Sequence, residues 1–89
     1  MVEVKIVIIG GGSFLWSPTI IKDIVLTKDL GGSTITLMDI DSKALHVMLK
    51  LGKNIVEKAG EDFEIEGTTD RREALQGADY VILTISTGG

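Results

Sequence analysis

The sequence predicts an α/β domain built as a doubly wound parallel sheet, in the order β-α-β-α-β-α-β with strands arranged 3-2-1-4. Three observations carry this prediction. Residues 4–9 form a β-branched run without polar alternation, as in a strand buried on both faces. The run breaks into Gly10-Gly11-Gly12-Ser13 and then into a stretch of helical spacing, an arrangement that brings backbone N–H groups against a phosphate. Strand-like and helix-like stretches then alternate along the chain, with connections long enough for right-handed crossovers.

Each element has its own signal. After the glycine turn, Ser17-Pro18 reads as an N-cap followed by proline at the first helical position, where the missing N–H costs nothing. Ile20, Ile21, Ile24 and Val25 recur on one helical face, with Lys22, Asp23 and Lys28 off it. This helix is expected to end near Lys28, stopped by Gly31-Gly32. Ile35 to Met38, flanked by threonines, reads as the second strand and runs into Asp39-Ile40-Asp41. Asp41 or Ser42 can cap the next helix, whose apolar stripe is Ala44, Met48, Leu51 and Ile55, widened by Leu45 and Val56 and closed by Gly60.

Phe63 and Ile65 alternate with Glu64 and Glu66, the pattern of a short strand near a sheet edge. Thr68-Thr69-Asp70 caps a brief helix, residues 71–75, broken by Gly77. Residues 80–85 make the fourth strand, which leads into Ser86-Thr87-Gly88-Gly89. A sheet ending on that apolar strand would expose a long edge. The 89 residues are therefore expected to be the N-terminal part of a larger dinucleotide-binding domain, with the rest of that domain and a catalytic domain elsewhere.

The composition is that of a globular protein, 44% hydrophobic and 25% charged. A net charge of −4 leaves no basic surface for nucleic acid or an anionic membrane. Cysteine is absent, which removes disulfides and thiolate metal sites within these residues. Without a signal-peptide layout or an apolar run near the roughly 18 residues of a membrane span, the expected location is cytoplasmic.

Candidate site residues lie where strands end. Gly10 and Gly12 match the first two positions of the dinucleotide fingerprint G-x-G-x-x-G, whereas Leu15 replaces the third glycine. That substitution touches helix–strand packing and not the phosphate approach; a simple tight turn is the competing reading. Asp39 ends the second strand, where a carboxylate accepts both ribose hydroxyls and repels a 2′-phosphate, favouring NAD over NADP. It follows Gly12 at a longer interval than the usual ~20 residues, and a purely helix-capping role is its alternative. With strand order 3-2-1-4 the switch in strand order falls between strands one and four. Thr87 and the backbone at Gly88 would then face the same cleft as the glycine turn.

Phe14 and Trp16 are positioned either to cover a bound dinucleotide or to anchor the chain into a further domain. His46 shares a polar helix face with Lys50, Lys53 and Glu57 and reads as solvated, and Asp79 reads as structural. No catalytic triad, carboxylate pair or metal cluster is legible, so no catalytic or metal-binding residue is assigned.

Three stretches together resemble the N-terminal part of glycoside hydrolase family 4, the NAD-dependent glycosidases. They are Ile8-Ile9-Gly10-Gly11-Gly12-Ser13, Thr36-Leu37-Met38-Asp39-Ile40-Asp41, and Ala78-Asp79-Tyr80-Val81 with the closing Thr87-Gly88-Gly89. The second stretch, preceded by Gly32-Ser33-Thr34, is similar to the α-glucosidase and α-galactosidase branch. Gly10 to Ser13 followed by Pro18 also occurs in the 6-phospho-glycosidase branch.

The resemblance implies a Rossmann-like fold and a hydrolase of carbohydrate metabolism that binds NAD and a divalent metal, manganese by the family's habit. It also implies a small sugar substrate and a homo-oligomeric full-length protein. In that chemistry the sugar is oxidised at C3 with NAD⁺ as hydride acceptor, and a tyrosine removes the acidified C2 proton. The glycosidic bond leaves by elimination, water adds, and the hydride returns. Gly10, Gly12, Ser13 and Asp39, with Thr87, carry over as dinucleotide contacts. The metal-binding cysteine and histidine and the tyrosine base lie outside these residues, and Tyr80 does not match that tyrosine.

Two other readings stay open on the sequence. A lactate- or malate-type NAD-dependent dehydrogenase shares the strand-two aspartate and an A-D-x-V fourth strand, but would follow it with a T-A-G-type turn. A non-catalytic nucleotide-binding module is the second.

Overall fold

The computed structural model describes residues 3–10 and 16–83. Within them the elements are β1 (Lys5–Ile9), α1 (Ser17–Val25), β2 (Thr34–Met38), α2 (Ser42–Ala59), β3 (Glu64–Thr68), α3 (Arg71–Leu75) and β4 (Tyr80–Leu83). The four strands form one sheet in the order β3-β2-β1-β4, and every neighbouring pair is parallel. The predicted α/β, Rossmann-like class and strand order are both observed.

Alternation along the strands sorts side chains onto two faces. Ile6 and Ile8 of β1 join Ile35 and Leu37 of β2 beneath α1 and α2, where Ile21, Val25, Leu45 and Met48 complete the main core. Val7 and Met38 point the other way and meet Ala74 of α3. Helices therefore lie on both faces, as double winding requires. β1 and β2 are central, and their residues 6–8 and 35–38 are buried on both faces of the sheet. Each fully buried isoleucine or leucine in this core contributes about 1.5–3 kcal/mol.

Three local expectations are corrected. The α2 stripe buries Leu45, Met48 and Gly52, while Leu51 stays 38% exposed. Gly52 sits over β3 so closely that a Cβ there would stand 2.6 Å from Ile65 Cδ1. This close approach rotates the buried face away from Leu51. α1 ends at Val25, and a separate 3₁₀ turn covers Lys28–Leu30. The Thr27 hydroxyl donates to the Asp23 carbonyl at 3.0 Å, and the Thr27 N–H goes to Ile24 instead. The last turn thereby tightens and the α-helix stops.

Ser17 is not the N-cap. The Ile20 N–H that a Ser17 cap would take is bonded to the Trp16 carbonyl at 3.0 Å, so Trp16 is the cap and Ser17 opens the helix.

Asp79 ties β1 to the turn before β4. The Lys5 N–H donates to Asp79 Oδ2 at 2.8 Å and the Asp79 N–H returns to the Lys5 carbonyl at 2.9 Å. Lys5 Nζ donates to the Gln76 carbonyl at 2.6 Å, placing a cation at the C-terminal end of α3. The structural reading of Asp79 holds.

Candidate dinucleotide site at the carboxyl edge of the sheet

Because all four strands are parallel, their carboxyl ends share one edge, and β1 sits between β2 and β4 at the switch in strand order. β1 leaves the sheet at Gly10, whose φ of 84° is a conformation that a side chain strongly disfavours. Its N–H donates to the Met38 carbonyl at 2.8 Å, one residue beyond the Ile9–Met38 pair. The chain thus turns off β1 directly beside the end of β2, with Gly10 and Asp39 adjacent across the two strands.

The end of β2 resolves the competition between its two aspartates. Asp41 caps α2, its Oδ1 accepting from Lys43 N–H at 3.1 Å and Ala44 N–H at 3.2 Å. Asp39 is the half-buried one: its Oδ1 accepts the Asp41 N–H at 2.9 Å, and its own N–H reaches the Thr68 carbonyl at 3.3 Å. The same device recurs at β3, where Thr68 Oγ1 accepts from Asp70 N–H at 3.0 Å and Asp70 caps α3. Two consecutive strand ends are therefore braced by a side chain two residues before the capping aspartate. Ile40, between the two aspartates, is 86% exposed.

The N-terminus of α1 differs from those of α2 and α3. Trp16 supplies no side-chain cap, whereas Asp41 and Asp70 cap α2 and α3, and Pro18 lacks an N–H. Ser17, which the sequence pattern reads only as a cap, is fully buried, and its hydroxyl has no hydrogen-bond partner among the described residues. The Ser-Pro pair was the available signal; its burial could not be read from the sequence.

Gly12, Ser13, Phe14 and Thr87 lie outside the described residues, so Gly10 and Asp39 are the two predicted contacts that the structure brings together. Trp16 is 55% exposed and His46 is exposed on α2. Grooves of about 350 and 410 Å³ lie elsewhere, one between α1 and α2 beside Lys22 and Lys58, the other between the 3₁₀ turn and β4. Neither includes the carboxyl ends of β1 and β2. Among the described residues no three His, Cys, Asp or Glu side chains converge as a metal site, and no helix is long and apolar enough to cross a membrane.

Comparison with known proteins adds a family. The profile described as family 4 glycosyl hydrolase matches residues 5–89. An alpha-glucosidase from Erwinia rhapontici is 42% identical over 84 residues, covering 94% of this chain and 18% of that protein. A 6-phospho-alpha-glucosidase from gut microorganisms, solved with NAD and glucose-6-phosphate, superposes with a TM-score of 0.86 at 28% identity, over 100% of this chain and 21% of that one. A second structure of a 6-phospho-alpha-glucosidase from gut microorganisms, with NAD and Mn2+, gives 0.84 at 26% identity, over 99% and 20%. The chain thus spans about a fifth of the length of these relatives.

Proposed function

The chain belongs to the family 4 glycosyl hydrolases, and from that premise we propose that it is the N-terminal part of the NAD-binding domain of a glycosidase. The α-glucosidase type is favoured by the 42% identity to an alpha-glucosidase. The observation that carries the cofactor reading is the adjacency of Gly10 and Asp39 at the carboxyl ends of β1 and β2, beside the switch point, joined by the Gly10 N–H bond to Met38. The dehydrogenase and the non-catalytic module lose their footing, since the family profile spans nearly the whole chain.

The residues present fit a dinucleotide. The left-handed turn at Gly10 leaves no Cβ in the path of a phosphate. α1 opens without an anionic cap and holds a buried hydroxyl that has no partner among the described residues. Asp39, braced through one oxygen by the Asp41 N–H, is oriented to accept from the adenosine ribose, and its charge disfavours a 2′-phosphate. Gly12, Ser13, Phe14 and Thr87 are proposed as further contacts on the strength of the sequence pattern.

When bound, NAD⁺ would supply a reversible hydride acceptor for oxidation at sugar C3, and a divalent metal, manganese by resemblance, would polarise the C2 and C3 oxygens. The metal ligands and the C2 base are assigned to the remainder of the full-length protein. The part of this chain in the reaction is to bind and orient the cofactor. The same proposal places the enzyme in the cytoplasm as a homo-oligomer acting on a small glycoside.

The test is cofactor dependence of the full-length protein. Hydrolysis of a nitrophenyl α-glucoside should be lost after NAD⁺ and metal are stripped, and should return only when both are restored. Full activity of the stripped protein would refute the reading.

A further inference from the structure

The first turn of α1 holds a feature that the fold does not explain. Ser17 is 0% exposed, yet its Oγ has no hydrogen-bond partner among the described residues. A buried hydroxyl without a partner is unfavourable, and such groups are rare enough to require a reason. In a helix the Cα–Cβ bond leans toward the N-terminus, so the hydroxyl of this first helical residue faces the end where N–H groups are exposed. That end is the one that β1 feeds, while α2 and α3 have theirs closed by Asp41 and Asp70. α1 is nine residues long, enough to carry a helix dipole, and its first turn contains no acid.

We propose that the Ser17 hydroxyl is a ligand of the dinucleotide's diphosphate, donating to a phosphate oxygen at the α1 N-terminus. This assignment rests on the cofactor reading above and adds a residue to it. The hydroxyl is buried and has no partner among the described residues, so the bond it lacks is available to the anion. Stability is given up locally in exchange for affinity, the usual relation at a binding site.

The experiment compares full-length wild type with Ser17→Ala, using calorimetric titration of NAD⁺, ADP-ribose and adenosine, and thermal melting without nucleotide. Loss of a charge-assisted hydrogen bond predicts about tenfold or greater weakening of NAD⁺ and ADP-ribose. Adenosine, which lacks the diphosphate, should bind equally to both proteins. The nucleotide-free variant should melt at the same temperature or higher, because an unsatisfied polar atom has been removed. Unchanged NAD⁺ affinity would overturn the assignment and mean that the hydroxyl serves only packing or a structural water. Equal weakening of adenosine with a lowered melting temperature would overturn it as well, in favour of a structural serine. Failure of the wild type to bind NAD⁺ at all would remove the cofactor reading itself, an outcome distinct from both.

Discussion

Asp39 and Asp41 show how two identical side chains, two positions apart, acquire different roles from backbone geometry. Asp41 spends its Oδ1 on two N–H groups of α2. Asp41→Ala should therefore cost about 1 kcal/mol of stability, visible in denaturant melts, with little change in NAD⁺ affinity. Under the proposed ribose role, Asp39→Ala should instead weaken NAD⁺ roughly tenfold while NADP⁺ holds or improves, since a carboxylate there would both bond the ribose and repel a 2′-phosphate. Parallel titrations of the full-length protein decide it; an unchanged NAD⁺ to NADP⁺ ratio removes Asp39 from the ribose. Gly10, at φ 84°, carries a third expectation. Gly10→Ala should destabilise by about 1–2 kcal/mol through the left-handed backbone alone.

At the scale of elements, the strands and helices were legible because each has a one-dimensional signature. β1 is a continuous β-branched run over residues 6–9, β2 sets Ile35, Leu37 and Met38 among threonines, and α2 and α3 announce themselves through Asp41 and Asp70. What escaped the sequence depends on partners that periodicity does not contain. The α2 face turns on Gly52, which a hydropathy pattern scores as nearly neutral but which meets Ile65 of β3. The end of α1 turns on one threonine hydroxyl, and the burial of Ser17 on how α1 seats against the sheet. The same helix–sheet contact yields a prediction. A Cβ on Gly67 of β3 would come within 2.8 Å of Leu49 Cδ1 and 3.2 Å of Leu45 Cδ1. Gly67→Val should overpack this layer and cost about 1–3 kcal/mol in a chemical melt; a neutral outcome would mean that α2 can lift off β3 freely.

For the whole molecule, β4 is the informative strand. Among the described residues it pairs with β1 on one side only, and Tyr80, Val81 and Leu83 are 59%, 47% and 63% exposed. An apolar strand with one open edge and mostly exposed side chains is a template for association. The isolated 89-residue polypeptide is therefore expected to self-associate in sedimentation, and Val81→Lys should suppress this. A monomer at high concentration would show that β4 tolerates exposure. In the full-length enzyme the same edge is where we place the rest of the cofactor domain, and the chemistry follows from that assembly. In the proposed reaction, oxidation at C3 would labilise the C2 proton, which an ordinary two-carboxylate glycosidase never touches. The decisive measurement is hydrolysis of a glycoside by the full-length protein in D2O, with the sugar product read by proton NMR. Deuterium at C2 is the predicted result. A product that keeps its C2 proton through complete turnover would contradict the NAD-dependent route.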